Sequence, residues 1–289
     1  MNLSKDITNK LDPNVSKVLV QLDTTAKALG ISYFVVGATA RDIVFSALYN
    51  VPIVRATMDV DFGIRIKSWD QFDKVMSTLI GEYHYERVPN KLQRLKNNET
   101  IIDLVPFGAI EQSHGVLSWP PDHDIVMKTI GFEEALLHAI DVKVSNDPEV
   151  NVKVSTPPAL AVMKCISWKD NSDRRSKDGP DLHFILKTYS RAGNDTRIYS
   201  TDDDLLEEQL EPDEESARLL GRDAQFICTE TTKASVNKIL LEEISEDSAL
   251  HLLSDMMGTG YRDQINAENV MKMLKQFQKG LTEQYIRKV

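Results

Sequence analysis

Residues 59 to 67, DVDFGIRIK, alternate polar and apolar almost without a break, the period-two pattern of a half-buried strand. That pattern gives one strand face to a core. Asp59 and Asp61, two residues apart, then project side by side from the other face, ~6–7 Å from one another. Upstream, YFVV at 33–36 is a short β-branched and aromatic run that stops at Gly37, after which ATARDIVFSALYN has helical character up to Asn50 and Pro52. The chain therefore reads as strand, glycine turn, helix and second strand, with two carboxylates on the second strand.

The same patterns extend outwards. Val15, Val18, Leu19, Leu22, Ala26 and Leu29 recur at helical spacing over residues 14 to 29, and Gly30 ends that helix. Another helix is expected over about residues 69 to 80, then a strand pair within 83 to 107 with a polar turn at KNNE and an apolar strand over 101 to 105. Between 122 and 155 the runs DIVMKTI, HAIDVKV and VNVKVS are β-like around a helical turn at GFEEALL. Pro157 and Pro158 open a helix, since proline is tolerated in a first turn, and the remainder of the chain reads mainly helical. The expected class is α+β, with an α/β domain over 1–155 and a helical domain over 156–289. Residues 200–216 are expected to be a loop or an exposed helix start.

Composition narrows the setting. No run approaches the ~20 apolar residues of a membrane span, and the start lacks the apolar core of a secretion signal, so no membrane partner and a cytoplasmic location are expected. Cys165 and Cys228 support neither a disulfide framework nor a thiolate zinc site. A net charge of −10 argues against a nucleic-acid partner, but nine acids and no base lie within 202–215, and the rest of the chain is near −1. Two basic clusters remain, Arg87, Lys91, Arg94 and Lys96 in one, Arg174, Arg175 and Lys177 in the other. Each is either a local anion-binding surface or solvated loop charge.

Asp59 and Asp61 are either the wet face of a strand or ligands for Mg²⁺, a hard cation that takes one or two carboxylates plus substrate phosphates. Gly37, between strand and helix, lets a phosphate approach free backbone N–H groups, and Thr39 adds a hydroxyl. In ETIIDLVPFG, Asp103 shares a strand face with Ile101 and Val105, where a buried carboxylate needs compensation. A metal shared with Asp59 and Asp61 would supply it, and so would a salt bridge to an arginine. In the helical half, Lys164 lies on an apolar face and must snorkel out or reach a buried anion. Asp178 and Asp181 either cap a helix start or join Arg174, Arg175 and Lys177 in a site suited to a triphosphate and a nucleophilic hydroxyl.

In combination, GATARD with Arg41, RATMDVDF with Arg55 ahead of the aspartate pair, IDLVPFG, and Lys164 followed by KDGPDL resemble the AbiEii/AbiGii-type nucleotidyltransferase toxins. These are a branch of the DNA polymerase β-like nucleotidyltransferase superfamily, and the resemblance runs from about residue 30 to 190. It implies a small mixed sheet carrying the metal ligands, a helical C-terminal half, one or two Mg²⁺ ions, and transfer of a nucleotide from an NTP to an acceptor hydroxyl. In such relatives the acceptor can be the 3′ end of tRNA, and an antitoxin partner often restrains the enzyme. The turn departs from the superfamily's Gly-Gly or Gly-Ser, because Gly37 is followed by Ala38, so Thr39 or backbone alone must replace a serine–phosphate contact.

The resulting assignment gives Asp59, Asp61 and Asp103 to the metal and to acceptor activation. Gly37, Ala38, Thr39, Arg41, Arg55, Arg175 and Lys177 go to the nucleotide, and Lys164, Asp178 and Asp181 to catalysis from the helical domain. Alternatives are transfer to a small antibiotic-type acceptor, or a non-catalytic regulatory protein using the acidic segment as a partner surface.

Overall fold

The computed structural model describes residues 5–53, 59–98, 100–113, 115–170, 177–245, 247–258 and 264–286. The chain divides into two compact units, 1–156 and 157–289. In the first, the strands are β1 (Lys5–Asp6), β2 (Ser32–Val36), β3 (Asp59–Ile66), β4 (Glu86–Arg87), β5 (Arg94–Lys96), β6 (Ile101–Gly108), β7 (Val116–Ser118), β8 (Val126–Lys128), β9 (Ile140–Asn146) and β10 (Glu149–Val154). Eight of them form one sheet in the order β1-β9-β10-β2-β3-β6-β5-β4, while β7 and β8 pair separately. The sheet is mixed, as expected: β3 runs parallel to β6 and antiparallel to β2.

The helices form where the sequence supplies their ends. Helix α1 (Pro13–Leu29) starts with Asp12 accepting the Asn14 N–H and with Pro13 in its first turn, and it ends at Gly30 with φ of 63°. Helix α2 (Gly37–Asp42) runs on into a π-helical stretch, Ile43–Leu48. Helix α3 (Trp69–Tyr83) is capped by the Ser68 hydroxyl, which accepts the Gln71 N–H. Helix α4 (Phe132–Leu137) is the turn expected at GFEEALL.

Strand alternation sorts residues between the two sheet faces. Val60, Phe62 and Ile64 are buried on the face toward α1 and α3, where Tyr33 packs edge-on to Phe62 and donates its hydroxyl to Asp23 of α1. Asp59, Asp61 and Gly63 point the other way. At the far end of that second face Phe34, Phe107 and Phe132 of α4 form an aromatic cluster with ring centroids 5.6–5.9 Å apart. Gly63 makes room for it, since a Cβ there would lie 2.3 Å from the Phe34 ring. The near end of the same face, where β2 ends and β3 and β6 begin, is the acidic one.

The second unit is helical: α5 (Pro157–Asp170), α6 (Asp178–Thr188), α7 (Pro212–Ile227), α8 (Glu230–Ile244), α9 (His251–Met257) and α10 (Gln264–Thr282). Helices α7 and α10 approach closely at Gly221 and Gly280, where an added Cβ would stand 2.4 Å from a backbone oxygen of the opposite helix. Both cysteines are free thiols.

The acidic stretch ends, as expected, in a helix start, Pro212 opening α7 with Asp213, Glu214 and Glu215 in its first turn, but the part before it is no plain loop. Residues Asp203–Glu208 form a 3₁₀ turn, and Asp202 is fully buried between Arg197, Arg222 and the Tyr285 hydroxyl. Arg222 also holds Asp204 and Glu283, and Arg218, equally buried on α7, holds Glu208 and Glu283. Asp202, Asp204 and Glu208 are thus spent inside their own chain.

Burial alone would raise the Asp202 and Glu283 carboxyls, but hydrogen bonds from Tyr285, Arg222 and Arg218 outweigh it and hold both below their ordinary values of 3.8 and 4.5. At Asp204 the hydrogen bond from Arg222 is the largest cause of the same downward shift. A folded-state pKa below the unfolded one gives stability that is present above the unfolded value and is lost as pH falls through the folded one. The melting temperature is therefore expected to drop between about pH 5 and about pH 3. Asp202→Asn should be less stable at neutral pH and lose less on acidification, which circular dichroism melts at both pH values will check.

Candidate active site

Cross-strand register builds the site. Val36, Asp61, Asp103 and Arg94 are successive partners across β2, β3, β6 and β5, so their side chains share one face in a single row. Neighbouring strands lie ~4.8 Å apart, so Asp61 and Asp103 bring two like charges within a strand spacing. Asp59 adds a third on the same face, two residues earlier on β3.

Arg94 answers part of that charge. Its Nε and Nη2 donate to Asp103 Oδ1 and Oδ2 at 2.8 and 2.5 Å, a two-pronged pair on a carboxylate that is 9% exposed. The Asp103 hydrogen bonds are the main reason the guanidinium is held still more basic than usual; partial burial opposes them, and the charges of Asp103, Asp59 and Asp61 add to them. The salt bridge expected as one compensation for Asp103 is thus supplied by Arg94.

The glycine turn meets this row from the side. Gly37 has φ of +64°, and a Cβ there would stand 2.1 Å from Asp61 Oδ2, so both the backbone and the carboxylate demand glycine. Ala38 follows, half-buried, in the first turn of α2. The Thr39 hydroxyl donates to the Asp59 carbonyl at 2.8 Å, tying α2 to β3 rather than standing open to a phosphate as expected. Arg41 is buried and directs Nε to its neighbour Asp42 at 2.8 Å. Arg55 and Arg175 lie outside the described residues.

In the helical unit, Lys164 of α5 does not snorkel. Its Nζ donates to Asp178 Oδ1 at 2.7 Å and Asp181 Oδ2 at 2.6 Å, and the Ser167 hydroxyl donates to the other Asp178 oxygen at 3.1 Å. Burial favours the neutral amine, but the two carboxylates outweigh it and keep Lys164 an ammonium. Asp178 is the first residue of α6, and the cap position before it is Lys177, exposed and without a side-chain cap bond. Gly179 lets α9 pack close, a Cβ there being 2.5 Å from the Asp255 carbonyl carbon, and Trp168 Nε1 donates to Asp255 Oδ2 at 2.8 Å.

The carboxylate row has the oxygen-only donor chemistry of a hard divalent cation. Among the described residues no three His, Cys, Asp or Glu side chains close into a metal cage. A cation bound by one or two carboxylates plus substrate phosphates does not need one, and Asp59 and Asp61 on one strand face fit that lesser demand.

A family model described as the nucleotidyl transferase AbiEii toxin of type IV toxin–antitoxin systems matches residues 22–267. Among solved structures, an antigenic nucleotidyltransferase-like protein from Paracoccidioides brasiliensis aligns at 19% identity and a TM-score of 0.36, covering 60% of this chain and 75% of that one. The antibiotic-resistance factor ANT(2'')-Ia aligns at 11% identity and 0.36, covering 68% and 97%. The Thermotoga maritima CCA-adding enzyme, in complex with tRNA, aligns at 12% and 0.27, covering 95% and 82%. At these TM-scores the structural likenesses carry no weight of their own. No curated protein matches the chain at a significant level.

Proposed function

The chain belongs to the AbiEii family of nucleotidyl transferase toxins of type IV toxin–antitoxin systems, and on that footing we propose that it transfers a nucleotide from an NTP to the 3′ hydroxyl of tRNA with the help of Mg²⁺. The observation that supports this reading best is the in-register pairing of Asp61 with Asp103, with Asp59 on the same face and the Gly37 turn alongside. Asp103 is paired with Arg94, and the carboxylates gathered on this face supply the oxygen-donor chemistry that a divalent cation takes.

Asp59 and Asp61 would hold Mg²⁺, with Asp103 completing the set. The metal would supply Lewis-acid stabilisation of charge on the triphosphate. Asp103 would also take the proton of the attacking hydroxyl as its oxygen bonds to the α-phosphorus and pyrophosphate leaves. The backbone amides at Gly37, Ala38 and Thr39 would receive phosphate oxygens at the start of α2. Lys164, kept an ammonium, carries positive charge for nucleotide handling within the helical unit, with Arg175 and Lys177 further along the same segment and Asp178 and Asp181 fixing its position. Arg55 joins the nucleotide contacts, whereas the Arg41 pairing with Asp42 suits that residue to bracing α2. Positioning and electrostatics supply most of the rate in such a reaction.

The setting proposed is cytoplasmic, with an antitoxin protein as restraint. Among the described residues no helix is long and apolar enough to cross a membrane. The acceptor is tested by incubating the chain with Mg²⁺ and each α-labelled NTP in the presence of total tRNA, a panel of aminoglycosides, or neither. Label is expected on tRNA and removable by a 3′ exonuclease. Label on the aminoglycosides alone replaces the RNA acceptor with a small-molecule one, and no label anywhere in any mixture overturns the transfer itself.

A further inference from the structure

We propose that Arg94 is a tethered counter-ion that occupies the Asp103 carboxylate until a nucleoside triphosphate arrives, so that divalent cation and nucleotide load the site together. The inference rests on the function proposed above and adds to it an order of binding.

Both Asp103 oxygens accept from the guanidinium fork, so a cation approaching Asp103 competes with Arg94 for the same carboxylate charge. Asp103 has little contact with water to fall back on, and its row neighbour Asp61 is another carboxylate. Arg94 is the less confined partner, with its side chain 25% exposed against 12% for Asp103. It projects from β5, a three-residue strand near the sheet edge, so the side chain has solvent to swing into. Other arginines nearby are committed: Arg65, further along the same face, to Glu133 at 3.0 Å, and Arg41 to Asp42 at 2.7 Å. Arg87, on β4 beside it, is paired with Leu95 of β5 and so faces the opposite side of the sheet, where it meets Asp73 of α3.

Losing a two-pronged, partly buried partner is costly for a guanidinium unless another anion of the same geometry replaces it. Phosphate oxygens match that fork as well as a carboxylate does. A triphosphate arriving with its cation therefore provides both halves of the exchange: the cation goes to Asp103 and its neighbours, and Arg94 goes to phosphate. A cation arriving alone provides only one. Linkage makes this reciprocal, so nucleotide strengthens cation binding by the factor by which cation strengthens nucleotide binding.

Titrating the nucleotide-free chain with Mn²⁺, followed by water-proton relaxation, tests this. Wild type is expected to bind weakly, and Arg94→Met ~10-fold more tightly because its carboxylates have lost their internal cation. Arg94→Lys, which keeps the charge without the fork, should fall between and guards against poor folding of the methionine variant. With non-hydrolysable NTP analogues present, wild type should gain Mn²⁺ affinity beyond that of the analogue in solution, and Arg94→Met should gain less. The double variant Arg94→Met/Asp103→Asn should lose the extra nucleotide-free affinity. If Arg94→Met and Arg94→Lys bind Mn²⁺ no more tightly than wild type without nucleotide, the counter-ion role is wrong while the transferase reading stands. If no chain binds Mn²⁺ with any analogue, the metal-dependent reading fails and this inference with it.

Discussion

Asp61→Asn is expected to lower nucleotide transfer by ~10³-fold or more while leaving the melting temperature close to that of wild type. Asparagine keeps the side-chain shape that Gly37 makes room for, so the turn and α2 stay in place. What disappears is the charge, and with it an anionic oxygen at the centre of the Val36–Asp61–Asp103–Arg94 row. A structural carboxylate behaves differently: neutralising it costs stability and moves activity only through folding. Here the neighbouring Asp103 is a like charge one strand away, so its neutralisation relieves repulsion. Steady-state transfer and thermal melting measured on the same preparation separate the two. Retained activity, or lost activity that tracks a lowered melting temperature, contradicts the assignment.

The second large effect is on stability. Lys164→Met is expected to destabilise the helical unit by ~3–5 kcal/mol, because it removes the ammonium that two carboxylates share inside the unit. The side chains of Asp178 and Asp181 are 4% and 17% exposed, so water reaches them poorly in the lysine's place. A charge-keeping variant identifies the cause: Lys164→Arg should retain most of the stability that Lys164→Met loses. Denaturant melts of both variants check this, and equal losses in the two point to lost packing instead.

Much of this arrangement is legible in the sequence because short-range rules specify it. The alternation in DVDFGIRIK places Asp59 and Asp61 on one face of β3, and the glycine after YFVV marks the turn into α2. The apolar run around Asp103 signals a carboxylate in need of a partner, and Pro157 with Pro158 marks the start of α5. Arg94 is visible in the sequence only as one member of a basic cluster. The signal that singles it out is hairpin register: β5 pairs with β6 so that Arg94 lies opposite Asp103, a one-residue matter that turn chemistry near KNNE leaves loose. The acidic segment misleads for a different reason. Its partners Arg218, Arg222 and Tyr285 are 10 to 83 residues away in sequence, and only the close approach of α7 and α10 brings them together. Thr39 illustrates a third limit, since a hydroxyl suited to phosphate is equally suited to the Asp59 carbonyl.

Nucleotidyl transfer is distinguished most directly from every other use of an NTP by the fate of two phosphorus atoms. The full chain is incubated with Mg²⁺ and tRNA and with each NTP labelled in turn at the α and at the γ position. Attack at the α-phosphorus predicts that α label becomes fixed at the 3′ end of the RNA while γ label leaves in pyrophosphate, and that Asp61→Asn abolishes both. Fixation of γ label on an acceptor, with α label left in free nucleoside diphosphate, contradicts it.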